Sequence, residues 1–529
     1  MNYADLFRVT LPETALEIAA LVVLIVDLAF LRKAALKLRV TVAALLGVAG
    51  CGAAVWAVLL YGALSYPQPK MIDGLLQFPN GFGSILLHGG GYISVAQIGI
   101  LVLTALTLLL LIDSDFTRHV GEFVAVMLMA ASGGLLIAGA QDLLVIFVGL
   151  ELLSLGLYIM TAFAKSSGKS AEAALKYYLF GGMSAAFLLF GFSYLYGLSG
   201  STNLARVILG TYLSAANGGT PLLLVALVMI AAGLGFKVAA VPFHLWAPDT
   251  YEGAPAPAAA FIASVSKVAS FALLISISSA ILWFPATLHM TGHVTVEVIP
   301  AGTPVPHMTY GFRTAWPLIL IALSAASMVV GNLAALAQIS VRRLLAYSAI
   351  AHAGYILLGL AFFSWSNRSA NAILYYILTY GLTTIGAFGV VSVVERATGS
   401  DRLDSFLGLH KRNPLLAAVL LVLFLSLAGI PPLVGFWAKF NLFAAVLGVS
   451  AGPVPLALVA LAIALSVVSL YYYLQVLKRV YVMPATDETR IKAHPVTMAV
   501  LLLIAATVVL LGCFPALLQG WIQSFYPVL

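Results

Sequence analysis

Four ionisable side chains lie near the middle of long apolar segments: Glu151, Lys237, Lys267 and Lys439. A charge at the centre of a bilayer costs about 2.5 to 3.5 kcal/mol on insertion scales, so it normally faces a partner or a water-filled path. A buried amine and a carboxylate can load and release a proton as their separation changes. These residue types therefore predict proton transfer through a membrane. In the alternative interpretation each ion only fixes helix packing, but three lysines and a glutamate centred in separate segments favour the proton path.

Three further side chains have chemistry that the sequence leaves open. His352 lies deep in its segment and is a candidate relay, because imidazole both donates and accepts protons. A histidine that serves only packing fits equally well. Lys176 follows Glu172 by four residues, and a snorkelling helix pair is a sufficient explanation for it. The roles of Lys176 and of His244, which lies near the end of its segment, stay undecided.

Metal and cofactor sites have no signature in the chain. There is no HExxH motif and no cluster of cysteine and histidine. We therefore predict no metal site and no bound cofactor.

Transmembrane helices must position these residues. Of the 529 residues, 62% are hydrophobic and only 9% are charged, against about a quarter charged in soluble domains. Apolar runs of about 20 residues recur along the chain, which is the length of a membrane-crossing helix, and backbone hydrogen bonding in lipid requires helices. The net charge of +7 falls in short loops, so it indicates topology and not nucleic-acid binding. We predict an all-α integral membrane protein surrounded by lipid.

Hydropathy predicts fourteen transmembrane helices. Their ranges are 11–30, 40–60, 95–112, 123–140, 143–163, 173–195, 222–241, 257–284, 317–337, 344–363, 373–394, 414–447, 456–477 and 496–514. If the N-terminus is external, most loop lysines and arginines fall on the cytoplasmic side. We therefore expect a multi-pass protein of the bacterial inner membrane with both termini on the periplasmic side.

Two of these helices are predicted to be discontinuous. Lys237 follows two glycines and precedes Pro242, which removes a backbone donor. The segment that carries Lys439 is too long for one straight crossing and contains Gly-Ile-Pro-Pro at 429–432.

These discontinuous helices are the seventh and the twelfth, the fourth members of two five-helix blocks. Because five is odd, the second block enters the membrane from the opposite side, as in the inverted repeats of transporters. The predicted organisation is a three-helix segment at 1–120 with an external loop at 61–94, inverted repeats of helices 4–8 at 121–285 and of helices 9–13 at 315–480, and helix 14 within 481–529.

The stretch 242–255, PFHLWAPDTYEGAP, resembles the characteristic sequence after the seventh helix in the subunit N family of respiratory complex I, the proton-pumping NADH:quinone oxidoreductase. Glu151, Lys237, Lys267 and Lys439 match the key membrane charges of that family. The related subunit M usually carries glutamate at the position of Lys439. The resemblance covers nearly the whole chain.

The resemblance implies roles for the buried charges. Lys237 is the switch lysine, Glu151 its modulating partner, Lys267 a bridging relay and Lys439 the terminal donor toward the exit, with His352 as a candidate relay. The chain itself would hold no redox centre. FMN, iron–sulfur clusters and quinone are expected in partner subunits, with subunit M-like and K-like neighbours in the membrane. The alternatives are a subunit of an Mrp-type cation/proton antiporter and an inert membrane scaffold.

Overall fold

The structure is a computed structural model that describes residues 10–62, 70–72, 75–77, 91–214, 220–282, 287–291, 293–297, 310–363, 367–449, 452–485 and 489–525. Nearly all of these residues form helices because apolar segments satisfy their backbone internally. In the first half of the chain the helices are α1 Leu11–Ile25, α2 Leu36–Gly62, α3 Gly91–Leu111, α4 Val120–Gly139, α5 Leu143–Thr161, α6 Gly168–Ser199, α7 Leu204–Ser214, α8 Thr220–Val238, α9 Trp246–Gly253, α10 Ala256–Ala263 and α11 Val265–Leu282.

The second half continues in the same way. Its helices are α12 Tyr310–Leu336, α13 Val341–Ala361, α14 Asn367–Thr398, α15 Leu409–Arg412, α16 Pro414–Ala428, α17 Val434–Val449, α18 Pro453–Tyr481, α19 Pro495–Cys513 and α20 Pro515–Ser524. Within the described residues, twelve helical segments have the length and apolar composition needed to cross a membrane, and α16 and α17 are shorter apolar helices. The predicted helical membrane fold is confirmed at this level.

A small antiparallel sheet lies outside the predicted spans. Its strands are β1 Lys70–Ile72, β2 Leu75–Gln77, β3 Thr287–Thr291 and β4 His293–Glu297, in the order β1-β2-β4-β3. The sheet joins two loops far apart in sequence, one after α2 and one after α11. The remainder of the loop predicted at 61–94 lies outside the described residues.

One predicted helix differs from the structure. The segment at 257–284 was expected to be continuous, but α10 ends at Ala263 and α11 begins at Val265. The Ser264 hydroxyl donates to the carbonyl of Ala260 at 2.6 Å, and serine side chains that bond backward in this way bend helices. The irregularity lies three residues before Lys267.

Small residues allow close packing of the helix pairs that begin the two predicted blocks. A Cβ added to Gly133 in α4 would lie 2.6 Å from the backbone nitrogen of Leu153 in α5. A Cβ added to Gly331 in α12 would lie 2.6 Å from the backbone nitrogen of Ala351 in α13. Membrane helices associate through such close approach because lipid provides no hydrophobic driving force. This packing fixes α5 and α13, which carry Glu151 and His352.

Candidate functional site

The first helix break directly follows Lys237. Helix α8 ends at Val238, and Ala239 adopts a left-handed conformation with φ of 57°. The backbone nitrogen of Ala240 donates to Gly235 at 2.7 Å and that of Ala239 to Phe236 at 3.0 Å. These two bonds form a Schellman motif, which satisfies part of a helix C-terminus and leaves the last carbonyl oxygen free for another donor.

The second break repeats this geometry before Lys439. Helix α16 ends at Ala428, and Gly429 follows with φ of 89°. The backbone nitrogen of Ile430 donates to Leu425 at 3.0 Å and that of Gly429 to Ser426 at 2.9 Å, which is again a Schellman motif. Helix α17 resumes at Val434. Both interruptions predicted from glycine and proline are therefore present.

A buried lysine caps each of these two helix ends. The ammonium of Lys267 donates to the carbonyl oxygen of Val238 at 2.7 Å, and that of Lys439 donates to Ala428 at 2.9 Å. In both cases the acceptor is the last residue of the broken helix. The negative end of the helix dipole favours a cation there, so each break creates a site for a positive charge at membrane depth.

Lys237 is buried, with 8% of its surface exposed, and its ammonium donates to the Ser154 hydroxyl. Ser154 lies three residues after Glu151 on α5. Glu151 is half-buried and within electrostatic range of Lys237. Among the described residues, however, Lys237 makes no salt bridge. The sequence predicted Glu151 as the partner and missed Ser154, although its spacing places it on the same helix face.

Lys267 joins the first break to the second half of the chain. Besides its bond to Val238, its ammonium donates to the carbonyl oxygen of Ala349 at 3.3 Å. Ala349 lies on α13, one turn before His352. Lys267 is only 3% exposed. A single side chain therefore connects the helix end beside Lys237 to the helix that carries the predicted histidine relay.

His352 is buried among aromatic rings that carry hydroxyl groups. Its Nδ1 lies 2.9 Å from the Tyr376 hydroxyl. Its ring centroid is 4.8 Å from that of Tyr380 and 5.8 Å from that of Tyr355. The imidazole can therefore exchange a proton with Tyr376, a partner that was not predicted from the sequence.

The Lys439 ammonium has two further contacts. It donates to the Ser466 hydroxyl at 2.7 Å and lies 5.4 Å from the ring centroid of Tyr355. The Tyr355 hydroxyl accepts a bond of 3.1 Å from Asn332, and the Tyr472 hydroxyl donates to the same amide at 3.3 Å. Lys439 and His352 thus both contact the Tyr355 ring, within one cluster of aromatic and polar side chains.

An ion-pair network holds the stretch 242–255 at one end of the bundle. Asp249 on α9 accepts from Lys176 on α6 at 2.8 Å and from Arg343 on α13 at 2.6 Å. Glu252 pairs with Lys169 and Arg343, each at 3.1 Å. The network therefore ties the segment after the first break to both halves of the chain.

The carboxyl groups of this network titrate at low pH. Burial acts to raise the pKa of Asp249, but hydrogen bonds from Lys176 and Arg343 outweigh it and hold that pKa below its ordinary value of 3.8. Burial also acts to raise the pKa of Glu252, but hydrogen bonds from Arg343 and Lys169 outweigh it and hold that pKa below its ordinary value of 4.5. Lys176 also forms the predicted pair with Glu172, at 2.6 Å, so its contacts are those of a structural ion pair.

The described residues contain no group of three or more histidine, cysteine or acidic side chains that could hold a metal ion. His244 is 9% exposed, and its Nδ1 has no hydrogen-bond partner within the described parts of the chain. Besides the three lysines, the described bundle buries hydroxyl and amide groups, the imidazoles of His244 and His352, and carboxyl and guanidinium groups such as those of Asp27 and Arg342.

The comparisons of this chain with known proteins agree on one family. The family model described as NADH:quinone oxidoreductase/Mrp antiporter, TM matches residues 140–301 and 302–466. A relative from Acidobacterium capsulatum, named NADH-quinone oxidoreductase subunit N 2, is 46% identical and covers 99% of both chains. A chain of respiratory complex I from Thermus thermophilus is 31% identical, with a TM-score of 0.73 and coverage of 96% of this chain and 98% of that one.

A more distant likeness concerns the fold alone. A chain of the Mrp complex from Dietzia sp. has a TM-score of 0.74, with 97% of both chains covered, at 20% sequence identity. The same helical architecture is therefore found in that Mrp complex.

Proposed function

This chain belongs to the subunit N family of NADH-quinone oxidoreductases and is an antiporter-like subunit of the membrane arm, and we propose that it carries protons across the membrane through Glu151, Lys237, Lys267, His352 and Lys439. Lys237 is the switch, Glu151 modulates it, Lys267 bridges the two halves, His352 relays, and Lys439 is the terminal donor. Quinone reduction in other subunits drives the transfer.

The observation that supports this proposal is the repeated capping of a broken helix by a buried lysine. Lys267 binds Val238, which adjoins Lys237, and also binds α13 next to His352. Lys439 caps the second break and lies over the Tyr355 ring, which also packs on His352. Buried amines that lack carboxylate partners are costly in lipid, and ionisable groups kept at that cost commonly mark ion or proton pathways.

We further propose that the chain crosses the membrane fourteen times. Helix α1 and the interrupted pair α16 and α17 would add two crossings to the twelve long segments. Helices 4–8 and 9–13 form the inverted repeats, at 121–285 and 315–480. The remainder is a three-helix segment at 1–120, with its external loop at 61–94, and helix 14 within 481–529. The matching Schellman motifs at the two breaks support this division. Both termini lie on the periplasmic side.

The partners follow from the family. Subunit M-like and K-like chains would flank this chain in the membrane, while FMN, iron–sulfur clusters and quinone would reside in partner subunits, with no redox centre here. An Mrp-type antiporter subunit is less supported, because the relative at 46% identity is named subunit N and the Mrp chain is only 20% identical.

The test is Lys237→Ala in the assembled complex, reconstituted into vesicles. We expect fewer protons transferred per electron, or slower coupled turnover, because the switch amine is gone. Lys165→Ala is the matched control, because Lys165 is exposed in a loop. If Lys237→Ala retained normal pumping and turnover in a fully assembled complex, the proposed role of Lys237 would be wrong.

A further inference from the structure

A buried asparagine joins α12, α13 and α18. Asn332 has no exposed surface and directly follows Gly331, the glycine that lets α12 approach α13 closely. Its side-chain nitrogen donates to the carbonyl oxygen of Met328 at 2.8 Å and to the Tyr355 hydroxyl at 3.1 Å. Its side-chain oxygen accepts from the Tyr472 hydroxyl at 3.3 Å. Both N–H donors and the oxygen of this amide are therefore in use.

The Met328 carbonyl determines the orientation of the amide. A carbonyl oxygen can only accept a hydrogen bond, so the side-chain nitrogen of Asn332, and not its oxygen, must face Met328. The second N–H of that nitrogen is then available to Tyr355, and the oxygen is left for Tyr472. The Tyr355 hydroxyl is therefore an acceptor at this contact, because exchanging the two ends of the amide would place two oxygen atoms against each other.

The Tyr355 ring contacts two residues of the proposed proton path. The Lys439 ammonium lies over the ring, 5.4 Å from its centroid, and a cation within about 6 Å of a ring centroid is attracted to the ring face. The His352 ring meets the same ring edge-on, with centroids 5.8 Å apart and an interplanar angle of 90°. A shift of the Tyr355 ring would therefore change the surroundings of Lys439 and His352 together.

The hydrogen bond from Asn332 fixes the free end of the Tyr355 side chain. One end of the ring is attached to α13 through the side chain itself, and the hydroxyl at the other end is bound to α12. The ring cannot turn about its side-chain torsions without losing this bond. A neutral amide has no proton to release at ordinary pH, so the contribution of Asn332 is to geometry.

We propose that Asn332 is a positioning residue of the proton path, because it holds the Tyr355 hydroxyl and so fixes the ring beneath the Lys439 ammonium. This inference rests on the proposed proton function and concerns how its terminal donor is kept in place. Asn332 neither binds nor releases a proton. When its bond to Tyr355 is lost, the ring moves, and the charged form of Lys439 loses part of its stabilisation.

A double-mutant cycle in the assembled complex tests the role of this bond. Asn332→Leu removes the amide at similar volume, and Tyr355→Phe removes the hydroxyl but keeps the ring. We expect each variant to slow coupled turnover in vesicles by about two- to tenfold, the effect of one hydrogen bond, and the double variant to be no slower than the slower single variant. Effects that multiply in the double variant would overturn the inference, because independent sites add in free energy.

Tyr472→Phe is the matched control. It also takes one hydrogen bond from Asn332, but on the oxygen side of the amide, and it leaves the bond to Tyr355 intact. We expect its turnover to stay close to that of the parent complex when assembly is matched by native gel electrophoresis. If Tyr472→Phe slows turnover as much as Asn332→Leu does, the network only stabilises packing and the positioning role is wrong.

The pH dependence of coupled turnover is a readout that a merely structural residue would not change. The ring favours the charged form of Lys439, so the ammonium should lose its proton at a lower pH once the ring is displaced. We expect the upper pH limit of turnover to fall in Asn332→Leu and in Tyr355→Phe and to stay unchanged in Tyr472→Phe. Three other groups near this ammonium keep their identity in all these variants: the Ala428 carbonyl on α16, the Ser466 hydroxyl on α18 and the His352 imidazole on α13. Should Asn332→Leu fail to assemble, an unchanged upper limit in Tyr355→Phe alone would overturn the inference.

Lys439→Met separates this inference from the proposed function. If Lys439→Met impairs pumping while the effects of Asn332→Leu and Tyr355→Phe multiply, the positioning role is wrong and the proposed function stands. If Lys439→Met pumps normally while the cycle shows one shared effect, Asn332 does position Tyr355 and the assignment of Lys439 as terminal donor is wrong.

Discussion

The ammonium of Lys267 donates a hydrogen bond of 2.7 Å to the carbonyl oxygen of Val238, the residue at which the helix carrying Lys237 ends. A helix end at membrane depth leaves carbonyl groups that water cannot reach, and a lysine supplies both a donor and a charge of the favourable sign. Movement of either group would alter the charge environment of Lys237. The bond therefore links the proposed switch to the rest of the path.

Removing the Lys267 amine should impair coupling. In Lys267→Met the side-chain length is retained, but the carbonyls of Val238 and Ala349 lose their donor, a loss of about 1 to 3 kcal/mol for each buried group that stays unpaired. We expect reduced proton transfer per electron in vesicles. Lys478→Met, which changes an exposed lysine, should pump normally. Equal pumping by the two variants in assembled complexes would contradict the bridging role.

Ser154 should prove to be a positioning residue for Lys237. Its hydroxyl accepts from the Lys237 ammonium, and hydrogen bonds to charged groups contribute about 1.5 to 3 kcal/mol. We expect Ser154→Ala to slow coupled turnover and Ser154→Thr, which keeps the hydroxyl, to restore most of it. A purely structural serine would show no such rescue when assembly is matched by native gel electrophoresis.

The second break should tolerate a methyl group less well than the first. Gly429 has φ of 89°, and its Cβ would lie 3.0 to 3.4 Å from the Lys439 side chain. Gly429→Ala therefore combines left-handed strain of about 1 to 2 kcal/mol with displacement of Lys439. We expect the assembled complex with Gly429→Ala to unfold at a lower thermal midpoint in detergent than the parent complex and to pump fewer protons in vesicles.

Ala239→Gly, at the equivalent position of the first break, provides the comparison. It relieves strain, because alanine already occupies a left-handed conformation there, and should leave the thermal midpoint unchanged or raised. A lower midpoint for Ala239→Gly than for Gly429→Ala would show that backbone strain does not govern the breaks.

The ion-pair network should contribute the same stability from neutral to mildly acidic pH. The pKa of Asp249 in the folded protein lies below 3.8, so its contribution is present above that value and is lost as pH falls through the folded pKa. Asp249→Asn should lower the thermal midpoint equally at about pH 7 and about pH 5, by an amount worth about 1 kcal/mol for partly exposed pairs. A difference between variant and parent that shrinks between those two pH values would contradict the assignment.

Much of the fold can be predicted from the amino-acid sequence. Long apolar runs require helices in lipid, and proline and glycine near Lys237 and Lys439 predicted where two helices end. Glu151, Lys237, Lys267 and Lys439 were identifiable because charges at bilayer depth are costly. The pairing of β2 with β4 was not predicted, since it joins Leu76 to Val296, 220 residues apart, and neither segment specifies its partner.

The contacts of these side chains depend on how the helices pack. Nothing in the local sequence indicates that Lys237 meets Ser154, that Lys267 caps Val238, or that His352 meets Tyr376, because each pair joins residues of different helices. Residue type and depth reveal which groups carry charge, whereas the direction in which each group donates its protons is set by interhelical distances of a few ångströms.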